Sequence, residues 1–149
     1  MKRLTSILLI AVSALCISAC LPSQQGTATY TLMLTQTSRN VNASGDILSL
    51  ANQLESGMNS LAVVHNRTWQ KDWEGDDEDS ALAYEDYIAK NSYLKVIEAV
   101  DNLVNEIKAG IPPEGLHSGS FTISYDVALY RGTTVLAKTT YNLSYSEKN

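Results

Sequence analysis

The sequence predicts an α+β domain: a mainly antiparallel sheet, made from an N-terminal strand and a C-terminal β-hairpin, covered on one face by two to three helices. Three observations predict it. Polar and apolar residues alternate over 27–35, apolar residues recur at spacings of three and four between Ile47 and Ile107, and two further alternating runs flank Arg131-Gly132. Strands at both ends with helices between them give segregated layers rather than a parallel βαβ sheet.

The first strand carries Ala28, Tyr30, Leu32 and Leu34 on one side and Thr27, Thr29, Thr31 and Thr35 on the other, with Met33 the exception. A period of two with β-branched content marks a half-buried strand. Asn40 to Gly45 is rich in turn formers and reads as a loop. Ser44 or Asp46 can cap the helix that follows, whose stripe is Ile47, Leu50, Ala51, Leu54, Met58 and Leu61. Gly57 weakens its middle and allows a break. Ala62-Val63-Val64 suits either a helix end or a short strand. A second helical block runs from Asp79-Ser80 to Lys108, as one helix or as two divided at Asn91-Ser92, residues that favour caps over interiors. Gly110 and Pro112-Pro113 stop it. Phe121, Ile123, Tyr125, Val127 and Leu129, then Val135, Ala137, Thr139, Tyr141 and Leu143, alternate around the turn Tyr130-Arg131-Gly132-Thr133. That is a hairpin with Val127 and Leu129 inward and Asp126 and Lys138 in water.

Ahead of the domain, Met1-Lys2-Arg3 is basic, Ile7 to Leu15 is almost wholly apolar, and Ser18 and Ala19 are small. This is the order of a secretory signal peptide, too short for a membrane span of about 20 apolar residues. Ile17-Ser18-Ala19-Cys20 resembles the lipobox of bacterial lipoproteins. The resemblance covers residues 1–20 and implies a signal peptide at 1–19, a covalent lipid on Cys20, a tether at 20–26 and a single domain at 27–149. Cys16 follows bulky Leu15 and leaves with the leader. Leu21 stands where an aspartate marks inner-membrane retention in enterobacterial lipoproteins, so the resemblance implies a membrane-anchored extracytoplasmic protein of the outer rather than the inner membrane.

Removal of residues 1–19 leaves 130 of the 149 residues, enough for one modest core. Losing Lys2 and Arg3 takes the formal charge from −5 to −7, which repels phosphate backbones and argues against nucleic acid. No thiol remains for a disulfide or a catalytic cysteine. His65 and His117 have no metal-ligand spacing, and neither singles out a serine as nucleophile.

Eight of the 16 acidic residues fall between Asp72 and Asp86. Asp72, Glu74, Asp76, Asp77 and Asp79 are the candidate ligands for a calcium ion, although their order is not that of an EF-hand. The bland alternative is a solvated loop whose Asp79 and Ser80 cap the next helix. Trp69, Trp73, Tyr84 and Tyr87 are candidates for an aromatic ligand patch, while a pair four apart is also the spacing of a helical stripe closing over a core. The expected function is a non-enzymatic, membrane-tethered binding or structural domain of the cell envelope. A divalent-cation- or glycan-binding accessory using residues 69–86 is the alternative, and a hydrolase ranks third. The expected partners are the membrane, through the anchor, and an envelope protein or glycan.

Overall fold

The structure, a computed structural model, describes residues 23–111 and 119–146. Cys20, most of the leader and tether, and His117 lie outside the described residues. Six elements follow in order: β1 (Gln24–Ala43), α1 (Gly45–His65), β2 (Arg67–Gly75), α2 (Glu78–Ala109), β3 (Gly119–Arg131) and β4 (Thr134–Ser146). The four strands form one sheet in the order β2-β1-β3-β4, every neighbouring pair antiparallel. The fold is α+β.

The two faces differ in chemistry. Ala28, Tyr30, Leu32 and Leu34 of β1, with Phe121, Ile123, Tyr125, Val127 and Leu129 of β3, are buried in one core with the helix residues Ile47, Leu54, Met58, Leu82, Val96 and Val100. The helices are held to this face by hydroxyls as well: Tyr93 of α2 shares a 2.6 Å hydrogen bond with Thr139, and Tyr141 donates to Asp101 at 2.8 Å. On the opposite face side chains pair from strand to strand. Thr27 donates to Asp72, Ser124 to Asn142 and Thr140 to Asp126, and Lys138 reaches Asp126 at 2.7 Å. Val127 and Leu129 are fully buried while Lys138 is exposed, as the alternation predicts; Asp126 is half-buried under its own lysine.

Several expectations are corrected. Strand β1 begins at Gln24 rather than Thr27 and continues to Ala43, so it takes in part of the expected tether and of the expected loop at Asn40. A shift of register between Gln36 and Ser38 lets so long a strand bend while keeping its pairing with β3. The hairpin turn is the two residues Gly132-Thr133, with Gly132 at φ 57°, a conformation in which glycine has no steric penalty. A second shift between Leu129 and Tyr130 pairs Tyr130 with Val135 and Leu129 with Ala137. Val135 is therefore turned out, at 53% exposure, and Ala137, Thr139, Tyr141 and Leu143 keep the inward side.

There are two helices among the described residues, within the expected two to three. Asn91 and Ser92 lie within α2, where the Ser92 hydroxyl bonds back to the Ile88 carbonyl at 3.3 Å and accepts from Arg67 at 2.7 Å. Gly57 does not break α1. A Cβ there would stand 2.7 Å from two methyl carbons of Leu103, so the missing side chain is what lets the two helices approach. Ala62 to His65 ends α1, and Asn66 turns the chain into β2. The Asn66 amide accepts from Leu34 N at 2.6 Å and donates to Leu34 O at 3.2 Å, completing the edge of β1 at the point where β2 stops. Asp77, not Asp79, caps α2, accepting from the Ser80 backbone at 2.8 Å. Ser44 holds the corresponding position of α1 without a side-chain cap bond.

Candidate functional site: the acidic and aromatic segment and the open sheet face

Trp69, Tyr30 and Arg131 form a row across three strands, since Tyr30 is opposite Trp69 on one side and Arg131 on the other. The Trp69 and Tyr30 rings stack at 5.1 Å with 12° between their planes. Consecutive carboxylates of α2 settle on this row. Glu85 accepts from the Trp69 indole at 3.2 Å, and Asp86 accepts from the Tyr30 hydroxyl at 2.7 Å and from Arg131 Nη1 at 2.9 Å. Arg131, only 9% exposed, also pairs with Asp79 and, at 3.8 Å, with Glu78; Lys71 approaches Glu85 at 3.9 Å. Burial and then the Asp86 hydrogen bond raise the Tyr30 hydroxyl above its ordinary range, and burial with Asp101 does the same to Tyr141. Both phenols thus stay protonated donors, and the row works as a clamp between α2 and the sheet.

The five candidate calcium ligands are distributed by this arrangement. Asp72 lies on the outward face of β2 against Thr27, Glu74 accepts from Ser23 at 2.8 Å, Asp76 is exposed, Asp77 is the helix cap and Asp79 belongs to Arg131. The Asp77 carboxyl is lowered from its usual range by the Ser80 backbone and hydroxyl bonds. Among the described residues, no three His, Cys, Asp or Glu side chains are grouped to hold a metal ion. The four aromatic candidates divide as well. Trp69 and Trp73 are half-buried on the helix-facing side of β2, where strand geometry sets them about 13 Å apart along the chain. Tyr84 and Tyr87, on α2, are 74% and 61% exposed. Sequence reasoning missed Tyr30, Glu85, Asp86 and Arg131 as one constellation, because their pairing is long-range and no local spacing signals it.

The open face is the broad surface of the molecule. It presents Thr27, Thr31 and Thr35 of β1, Thr68 and Gln70 of β2, Thr122 of β3 and Thr140, Asn142 and Ser144 of β4, and both outer strands, β2 and β4, are unpaired among the described residues. Hydroxyl and amide groups offer both donors and acceptors, which suits contact with another polar surface.

Tyr125 is the one residue among those described whose buried side-chain polar atom has no hydrogen-bond partner. Burial, and then the nearby Glu55 carboxylate, push its hydroxyl up to about 12. A buried unpartnered hydroxyl costs about 1 to 3 kcal/mol, so Tyr125→Phe is expected to leave stability unchanged or raise it by about 1 kcal/mol. Urea unfolding measures this, and a loss of more than about 0.5 kcal/mol would mean that the hydroxyl is bonded after all.

Comparison with family models, with curated proteins and with solved structures found no match to this chain. No helix among the described residues is long and apolar enough to cross a membrane.

Proposed function

We propose that this chain is a lipid-anchored domain of the cell envelope that acts without catalysis, presenting the open face of its sheet to an envelope partner. The observation that carries the reading is that asymmetry: among the described residues one face is closed by two helices, the other is hydroxyl-rich with no element packed on it, and the outer edges of β2 and β4 pair with no further strand. The lipobox resemblance supplies the anchor at Cys20. Ser23 is already bonded to Glu74, which leaves only Leu21 and Pro22 between anchor and domain. Three residue steps span at most about 11 Å. The domain would therefore rest directly on the bilayer, with the open face standing beside it.

Photo-crosslinking side chains placed at Met33, Thr35 and Thr140 are expected to give a discrete adduct in intact cells. The same groups at Tyr84 and Tyr87, on the helix side, are expected to give none. Adducts from the helix side alone would overturn the face assignment, and fatty-acid labelling that survives Cys20→Ser would overturn the anchor.

A further inference from the structure

Half of the described lysines and arginines of this acidic chain are spent on carboxylates. Arg39 pairs with Glu55, Lys71 with Glu85, Lys138 with Asp126, and Arg131 with three acids. Four described cations make no such pair: Arg67, Lys90, Lys95 and Lys108. Two of them meet. The end of α1, the start of β2 and the middle of α2 enclose a recess of about 180 Å³ lined by Leu32, Val64, His65, Arg67, Ser92 and Lys95. It is smaller than the roughly 300 to 1,000 Å³ of drug-sized ligand pockets, so it suits a small head group.

The guanidinium of Arg67 is held in place before any ligand arrives. It lies over the Trp69 ring at 4.8 Å and donates through Nη2 to Ser92 at 2.7 Å, leaving other N–H donors free. A stacked, oriented arginine loses little freedom on binding and suits planar or tetrahedral oxyanions. The C-terminus of α1 opposes an anion here, but with only about half an elementary charge against the two full charges of Arg67 and Lys95. Val63 and Val64 are 86% and 73% exposed at the same helix end, and Ile88, one turn before Ser92, is 39% exposed. Val64 is itself part of the lining, so the cationic recess has an exposed apolar side chain at its mouth.

We propose that this recess binds a phosphate group, with Arg67 and Lys95 neutralising it, Ser92 holding Arg67 in place, the His65 ring donating to a phosphate oxygen, and Val64, flanked by Val63 and Ile88, meeting any acyl chain attached to it. The site is independent of the open-face reading and of the anchor, and its failure would leave both untouched.

Trp69 stacks on Arg67, so tryptophan emission reports occupancy. Full-length protein in neutral detergent is titrated with inorganic phosphate and, separately, with short-chain phosphatidylglycerol, against chloride at equal ionic strength. A saturable change in emission with either ligand is expected, and Arg67→Gln with Lys95→Gln should weaken it about tenfold or more, whereas Lys90→Gln should not change it. Preference for the lipid, reduced by Val64→Ser, identifies a lipid head group as the source of the phosphate; equal affinity identifies free phosphate. An emission change that does not saturate, or one that survives in the Arg67→Gln, Lys95→Gln protein, overturns the site.

Discussion

Arg131→Met is expected to lower the unfolding free energy by about 3 to 5 kcal/mol, the usual loss when one partner of a buried ion pair is removed. Methionine keeps much of the arginine volume, so the loss is electrostatic rather than a cavity. Asp86, whose side chain is 17% exposed, would be left charged against the core with only the Tyr30 hydroxyl for company. Glu78 and Asp79, at 49% and 85% exposure, contribute little to the loss because water screens them. Asp86→Asn in the Arg131→Met background should recover part of it, and a double-mutant cycle by chemical denaturation would give a coupling of roughly 1 to 3 kcal/mol. Independent, additive losses would mean that the clamp is not a unit.

Leu129→Ala is the second large effect, at about 3 kcal/mol within the 2 to 5 of such truncations. Leu129 is fully buried and sits in the sheet between Leu32 and Ala137, beneath both helices. Lys138→Ala, one residue further along β4 on the other face, removes only an ion pair whose lysine is 46% exposed, and should cost under about 1 kcal/mol. Equal losses in the two variants, read from urea unfolding, would show that the register of the hairpin is wrong.

The elements that could be read from the sequence are those whose alternation or helical period is unbroken. From Ala28 to Leu34 in β1 and from Phe121 to Leu129 in β3 the inward positions are all apolar, so the buried face follows, while the register shifts beyond them do not. Strand β2 hides because its helix-facing positions are Arg67, Trp69, Lys71 and Trp73, a mixture that only an edge strand with snorkelling cations can use. The cap preference of Asn91-Ser92 does not interrupt α2, because a tertiary partner, Arg67 on the Ser92 hydroxyl, supports the helical position over a weak local preference. The acidic run was legible as charge but not as function. What Glu78, Asp79 and Asp86 do depends on a single arginine some fifty positions away in the sequence and on the sheet register that brings it near.

The pairing of Tyr30 with Arg131 has a kinetic consequence. The two central strands are separated by the 75 residues between Ala43 and Gly119, and closing so long a loop is slow and entropically costly. Until the C-terminal hairpin arrives, β1, α1, β2 and α2 have a seam with nothing to seal it, since the whole β3 edge of β1 is bare. A chain delivered end first through a translocation channel would spend that interval exposed to aggregation, and the rate at which β3 finds β1 should set how much of it survives to be used.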